Sequence, residues 1–586
     1  MQNETRQCAN CKSNFLIEAE DFSFYEKMST PDAKIPAPTF CAKCRLIRRL
    51  RIRNERALFK VKCGMCQKNT ITMYNPVAGY LVYCSSCYLS TDWDPLSYGR
   101  DYDFSRPFFE QLADLMKVVP RKAVHSVGGG INTEFSNYLV NSKESYLSYS
   151  VIGSEHIYYS RVVDNSKECL DSSNIKDCEA CYETLHGTKN YRSAFLIESS
   201  NCLNSNFLYD CTNCSDCFMS ANLRNKQYVF RGVEMSRDEY FKALSEINMS
   251  SYENLSKLKI EFKEMFRFSA IHRFVRIFKS DNCTGDYIEN SKNVKESFEI
   301  FKAEDSKYSL RLTDGPAGLF DVVGSGKSEM VYEASGISWG TQNSAFISAG
   351  HATANSQYCD YCMNVENIFG CVSVDHVKYV ILNKQYDKKS YEELRAKIIK
   401  HMNEMPYIDE AGIKYGYGEF FPQICIPHAY NHSTAQEYFP LSKNEIESKG
   451  YLWRDPEVKK YEPNYTKEGL PDSVYDLPDN FEKEVIECAH KGKCAHVCTE
   501  AFKLHPNELS YLKKWNIAIP RLCPNCRHYE RIELRRPPIL HDRQCVCKNE
   551  NHSNHVGDCQ EKFKTTHLPE DAEKVYCEQC YQREVY

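Results

Sequence analysis

Eight closely spaced cysteine pairs confine what this chain can fold into. Four lie in the first ninety residues, at Cys8/Cys11, Cys41/Cys44, Cys63/Cys66 and Cys84/Cys87. Four more lie in the last hundred, at Cys494/Cys498, Cys523/Cys526, Cys545/Cys547 and Cys577/Cys580, with Cys488 and Cys559 over. A shift of 482 lays "CAKCRLIRRLRIRNERALFKVKC" onto "CPNCRHYERIELRRPPILHDRQC" without a gap, and "VYCSSCY" matches "VYCEQCY". The two ends are therefore an internal duplication.

A secreted disulfide scaffold is short and carries a signal, whereas this chain has 586 residues and opens on the polar segment "MQNETRQCAN". No run approaches a membrane span, so a soluble, cytoplasmic protein is expected, in which paired cysteines at this spacing are zinc ligands. Zinc takes four soft ligands in a tetrahedron, and a CxxC turn offers two thiolates from one short loop. Two such pairs close a structural site with no open position for catalysis. The expectation is two ions per module and about four in all. The simplest pairing is sequential, Cys8/Cys11 with Cys41/Cys44 and Cys63/Cys66 with Cys84/Cys87, and a cross-braced pairing stays open. The C-terminal copy departs from this plan. Cys494/Cys498 is one residue wider, Cys545/Cys547 one tighter, and the insertion "KNENHSNHVGDCQ" adds His552, His555 and Cys559.

Eight of the eighteen residues from Arg45 to Lys62 are Lys or Arg, in a chain of formal net charge -5. Leu46, Ile47, Leu50, Ala57 and Leu58 fit one face of a helix, and Arg45, Arg49 and Arg53 fall along another. The aligned C-terminal positions are Arg527, Arg531 and Arg535. A cysteine pair that opens a helix looks like the treble-clef or zinc-ribbon class. In one reading the guanidinium row meets phosphates, as a basic helix on an acidic protein should. In the other, the arginines answer the charge of zinc-bound thiolates or pair with the protein's own acids. Both stay open for Arg45 and Arg527. Phosphate is preferred for Arg48, Arg49, Arg51 and Arg53, because self-compensation needs fewer arginines.

Between the modules the texture changes to short runs rich in Tyr, Ser, Asn and Cys. The forty tyrosines and thirty phenylalanines of the chain suit strands. "NSKESYLSYSVIGSEHIYYSRVVD" from Asn141 is echoed 24 residues later by "NSKECLDSSNIKDCEACYETLHGT". Short strands at a period of 20–25 residues predict a parallel β-helix-like solenoid. A shift of 151 relates "NLRNKQYVFRGVEMSRDEYFKALSEI" to "SVDHVKYVILNKQYDKKSYEELRAKI", so the solenoid has two halves, each ending in a helix. Ser236 and Asp387 or Ser390 stand at the expected helix caps. The cysteines of "CTNCSDC", Cys211, Cys214 and Cys217, read as a ladder of small buried side chains ahead of a further metal site. Cys359/Cys362 reads the same way. Gly326-Lys327-Ser328 lacks the glycine and the strand–loop–helix setting of a phosphate loop and reads as a turn.

The predicted organisation is mainly β. It runs from an N-terminal zinc module (1–90) through a helical connector (91–125), solenoid half 1 (126–235), a helical insert (236–270), solenoid half 2 (271–387) and a helix (388–411). An extended aromatic arm (412–480) and a C-terminal zinc module (481–586) follow.

The stretches "CRLIRRLRIRNERALF", "YGRDYDFSRPFFEQL", "FLYDCTNCSDCF", "YGYGEFFP", "AQEYFPLSKNE" and "VYCEQCYQREVY" span almost the whole chain. Through them it resembles a family of long cysteine-rich proteins with zinc-ribbon or treble-clef-like ends from uncultured, small-genome bacteria. The resemblance implies zinc and this architecture and supplies no reaction. Three functions follow as expectations. The first is a non-enzymatic nucleic-acid-binding scaffold, RNA ahead of DNA, with the solenoid spacing two basic heads so that avidity adds. The second is a protein-assembly adaptor using a tyrosine-rich solenoid face. The third, an enzyme in a solenoid groove, lacks a nameable acid–base or nucleophile set, and no small-molecule substrate is identified.

Overall fold

The computed structural model describes all residues except 1, 129, 134, 338, 456–461, 550, 551, 553 and 554. The chain forms two compact units from non-adjacent segments. Unit 1 joins Met1–Val124 to Val275–Arg454 and Pro537–Leu540; unit 2 joins His125–Phe274 to Asp455–Arg536 and His541–Tyr586. Each unit thus holds one curled, almost wholly parallel sheet and one cysteine module. The N-terminal module belongs with the second sheet, and the C-terminal module with the first. Sequence order alone suggests the opposite grouping.

The sheet of unit 2 has fifteen strands, from Ser126–Val127 to Val233–Glu234, and that of unit 1 has ten, from Ile277–Phe278 to Lys384–Gln385. Through residues 137–221 parallel partners lie 12 residues apart: Tyr149 pairs with Arg161, Glu155 with Lys167, and Ser173 with Leu185. The 24-residue echo between Asn141 and Asn165 is therefore two steps of 12, not one coil of 20–25. Ser142, Ser154 and Ser166 mark every step of 12, but the Asn-Ser-Lys triplet at Asn141 next returns at Asn165, so the longer match spans two steps.

Each step of 12 is built from four backbone triplets. Every third residue is left-handed, as at Asn165, Glu168, Asp171, Asn174 and Asp177, with φ between 44 and 55°. Two extended residues and one left-handed one bend the chain at each triplet. Among residues other than glycine, Asn and Asp tolerate that conformation best, which explains their abundance here. Where Val162 or Phe207 adopts it, the local cost is about 1 kcal/mol and the ladder must offset it. Exposed Asn and Asp side chains then stack from step to step, as in Asn213–Asn225 at 3.0 Å and Asn293–Asp305 at 2.9 Å.

The interior carries a second ladder. Ser148 Oγ donates to the carbonyls of Tyr146 and Ile157 (both 3.0 Å) and accepts from the backbone N–H of Ser160 at 3.3 Å. Ser154, Ser160, Ser166 and Ser172 likewise accept an N–H from 12 residues on. Cysteines occupy the same role. Cys181 Sγ meets the carbonyls of Glu179 (3.5 Å) and Asn190 (3.4 Å), and Cys202, Cys211 and Cys217 repeat the pattern. Cys214 Sγ donates to Thr212 O at 3.4 Å. A short donor on Cβ is what these positions require, and serine and cysteine both supply it.

Both sheets close on an antiparallel strand and a capped helix. Ser236 forms a capping box with Glu239 ahead of the helix Arg237–Ser245, and Asp387 accepts from the Ser390 N–H ahead of Lys388–Glu404. The helical insert expected over 236–270 is two helices, Arg237–Ser245 and Tyr252–Glu264, broken where Ser251 caps the second. Gly326-Lys327-Ser328 is the turn between strands Ala317–Ser325 and Glu329–Ile337. The aromatic arm is packed inside unit 1 as far as Arg454, burying Tyr415, Tyr417, Phe420, Phe421, Tyr430 and Tyr438. Its predicted continuation through 456–461 lies outside the described residues.

Candidate metal centres

Four all-cysteine groups form on one local plan. In each, a short strand runs directly into the first cysteine: Glu4–Gln7 into Cys8, Phe59–Lys62 into Cys63, Ile486–Glu487 into Cys488, and His541–Gln544 into Cys545. The chain turns, delivers a second cysteine, and leaves on an antiparallel strand. The third cysteine is the N-cap of a helix and the fourth lies in its first turn. These helices are Ala42–Arg51 after Cys41, Ser85–Tyr88 after Cys84, Pro524–Ile532 after Cys523, and Glu578–Val585 after Cys577.

At every centre the N-cap cysteine's backbone N–H donates to the first cysteine's sulfur. The distances are 3.3 Å (Cys41 to Cys8), 3.3 Å (Cys84 to Cys63), 3.2 Å (Cys523 to Cys488) and 3.3 Å (Cys577 to Cys545). Such N–H donors and the positive end of a helix favour thiolate over thiol. Hydrogen bonding with Cys44 brings the Cys41 thiol down to about 5. Of the four first cysteines only Cys63 is brought down: burial pushes it up, but the N–H groups of Cys84, Cys66 and Met65 outweigh that and bring it to about 6. Burial pushes Cys8 and Cys545 up, and hydrogen bonding with Cys498 pushes Cys488 up.

Two thiolates on one tetrahedral zinc, at bonds of about 2.3 Å, sit about 3.8 Å apart. The sulfur pairs Cys11–Cys41, Cys66–Cys84, Cys488–Cys526, Cys523–Cys498 and Cys559–Cys577 lie at 3.7, 3.9, 3.8, 4.0 and 4.0 Å. The spacing is that of ligands around a shared ion.

The N-terminal groups are the sequential ones, Cys8/Cys11/Cys41/Cys44 and Cys63/Cys66/Cys84/Cys87. The C-terminal groups differ from the spacing-based assignment. They are Cys488/Cys498/Cys523/Cys526 and Cys545/Cys559/Cys577/Cys580. Cys488 stands where Cys494 was expected, and Cys559 where Cys547 was expected. The physical reason is that the strand and the helix cap set the ligand positions, and the turn between the first two cysteines is free to lengthen. It holds two residues in the N-terminal centres, nine between Cys488 and Cys498, and thirteen between Cys545 and Cys559. Aligning on the strand before each first cysteine, rather than on the nearest CxxC, finds both.

The arginines face inward. In unit 1, Arg45, Arg48, Arg49, Arg51 and Arg53 are all buried, Arg49 completely. Arg45 Nε and Arg49 Nη1 each lie 2.9 Å from Asp321 Oδ1. Arg48 joins Glu333 at 2.9 Å and Glu419 at 2.8 Å, Arg53 joins Glu55 at 2.5 Å, and Arg51 lies 3.8 Å over the Tyr451 ring. In unit 2, Arg527 Nη1 reaches Asp171 at 2.6 Å and Glu508 at 2.7 Å, and Arg531 Nη1 reaches Asp171 at 2.8 Å. Arg535 is half-buried. Burial alone would weaken the charge of Arg45 and Arg527, but Asp321 and Asp171 more than offset it and keep both cationic. Arg45, Arg48 and Arg49, and Arg527 and Arg531, the candidates for facing phosphate, thus form an internal lock between each module and its own unit. The sequence hides this because Asp321 and Asp171 lie hundreds of residues from their partners, among unremarkable strand residues.

No protein-family model, curated protein or solved structure matches this chain. No helix among the described residues is long and apolar enough to cross a membrane.

Proposed function

We propose that the chain is a non-enzymatic, zinc-stabilised scaffold. Each zinc-ribbon or treble-clef-like module clamps a β-helix-like solenoid through its ion-anchored helix, and zinc acts structurally. One observation carries this reading: the guanidinium rows of both modules are buried against carboxylates of their own units. A phosphate cannot reach Arg49 without dismantling the module. Removing one member of such a buried pair costs about 3–5 kcal/mol, so the lock opposes its own opening.

The test is binding of labelled single-stranded RNA by the native, zinc-loaded chain across a salt series. The scaffold reading expects no steeply salt-dependent binding that crosslinks to 45–53 or 527–535. Tight, steeply salt-dependent binding with crosslinks there would restore the nucleic-acid reading.

Partner binding, as an adaptor for a protein assembly, moves to a different face from the one expected. Tyr158, Tyr159, Tyr182 and Tyr209 are buried under other parts of unit 2, whereas Val127, Ile131, Phe135 and Ile152 at the first steps of its sheet are exposed. An exposed apolar sheet edge is where another chain can add.

A further inference from the structure

The nine-residue turn between Cys488 and Cys498 does more than span a gap. It contains His490, Cys494 and His496, and one ligand atom from each lies within 4.8 Å of the others and of Cys526 Sγ. We infer that the first C-terminal centre is binuclear: His490, Cys494 and His496 hold a second divalent ion, and the Cys526 thiolate bridges it to the ion held by Cys488, Cys498 and Cys523. The inference rests on the reading that the four-cysteine group itself binds metal.

Four observations carry it. Cys494 Sγ lies 3.6 Å from Cys526 Sγ, the separation of thiolates sharing an ion, while Cys526 keeps 3.8 Å to Cys488 on its other side. Nδ1 of His490 and Nδ1 of His496 are both buried atoms with no hydrogen-bond partner, a costly state for a ring nitrogen unless it binds something. The opposite nitrogens face carboxylates: His490 Nε2 lies 3.6 Å from Glu530 and His496 Nε2 3.5 Å from Glu533. A carboxylate behind a histidine fixes its tautomer so that the other nitrogen is the ligand, a common arrangement around zinc. Finally, Tyr529 stacks on the His496 ring at 5.4 Å and 13°, fixing its plane.

The charge balance agrees. Four thiolates around one divalent ion leave a net charge of about −2. Adding a second divalent ion, one further thiolate and two neutral imidazoles brings the centre to about −1. Two sulfurs and two nitrogens make a tetrahedral set that suits zinc. The second C-terminal turn has the same additions, one cysteine and two histidines. There Cys547 Sγ lies 3.5 Å from His552 Nδ1, and His552 Nε2 lies 2.8 Å from Glu584.

The test is metal counting by native mass spectrometry on the full chain, with a cadmium-113 spectrum of the cadmium-loaded protein. The native chain is expected to show a mixed sulfur–nitrogen resonance besides its all-sulfur ones. The double variant His490→Ala/His496→Ala should lose that resonance and one metal equivalent while keeping its far-ultraviolet dichroism. Glu530→Gln/Glu533→Gln, which leaves every ligand in place, should weaken the same equivalent about tenfold or more. Equal metal counts in the native chain and the histidine variant, with all-sulfur resonances only, overturn the second ion and leave the scaffold reading standing. A native chain that takes up no ion overturns both.

Discussion

The two units solve the same problem with different amounts of redundancy. In both, a helix opened by a cysteine of a four-cysteine group lays two arginines, four residues apart, on one aspartate of the parallel sheet: Arg45 and Arg49 on Asp321, Arg527 and Arg531 on Asp171. Unit 1 surrounds that contact with Glu333, Glu419 and Glu55 and with Arg48, Arg53 and Arg311. Unit 2 adds Glu508 to Arg527. Conversely, the cysteine turns of unit 1 are minimal and those of unit 2 are expanded and histidine-rich. The comparison separates what the plan requires, the strand, the cap cysteine and the buried aspartate, from what it tolerates, the length and content of the turn.

Metal removal should have the largest effect. Each structural zinc contributes an apparent 10–16 kcal/mol in small modules near neutral pH. Chelation should therefore release both modules, read as lost hydrogen-exchange protection at Ala42–Arg51 and Pro524–Ile532. Single-ligand variants sharpen the contrast. Cys44→Ser should cost one metal equivalent in unit 1, and Cys526→Ser should cost two in unit 2. Equal losses would erase the difference between the turns.

Next come the locks. Asp171→Asn leaves Arg527 with Glu508 but removes the carboxylate paired with Arg531, and should destabilise unit 2 by about 3–5 kcal/mol. Asp321→Asn should cost less, because Glu333 stands 4.0 Å from Arg45 and 3.6 Å from Arg49. Hydrogen exchange resolved by segment measures each unit separately. A larger loss in unit 1 would mean that its extra carboxylates do not share the load.

Acid should act on both units through buried histidines. Burial holds His272 in unit 2 and His428 in unit 1 down to about 3, and His432 in unit 1 to about 4. The unfolded chain takes up these protons near pH 6.5 and the folded chain does not. Stability is therefore full above pH 6.5 and falls as the pH drops toward 3–4, by about 2 kcal/mol per histidine at pH 5. Melting temperatures between pH 7.5 and 5 check the slope, and His272→Gln should flatten the share of unit 2.

The smallest effects belong to the interior ladders, where the units should agree. Ser160→Ala in unit 2 strands the Ser172 N–H, and Ser309→Ala in unit 1 strands the Val322 N–H. Each should cost about 1–3 kcal/mol. Cys181→Ser exchanges one short donor for another and should cost under about 1 kcal/mol. A severe loss from that exchange would mean the thiols do more than fill the ladder.

Much of this is legible in the sequence. The duplicated cysteine pairs, a helix beside Cys44, the helix caps at Ser236 and Asp387, and a strand-rich repeat are local signals, set by neighbours within a few residues. The helix itself starts at the Cys41 cap and stops at Arg51, so the expected Arg53, Ala57 and Leu58 fall beyond it. The N-terminal ligand groups followed from the same signals because their turns are two residues long. Cys488 and Cys559 escaped because a long turn displaces a ligand in sequence without displacing it in space. The 12-residue step escaped because it rests on left-handed backbone at every third residue, which Asn and Asp hint at but Val162 and Phe207 conceal.

By itself, then, the sequence determined that this is a mainly β protein with duplicated cysteine modules and a repeating centre. Only the tertiary structure decided where the arginines point. A basic helix face looks the same in sequence whether it meets phosphate or carboxylate, because its periodicity reports that a face exists and says nothing of what lies opposite. Asp321 and Asp171 supply that opposite charge from distant sheets, and burial makes each pairing costly to break.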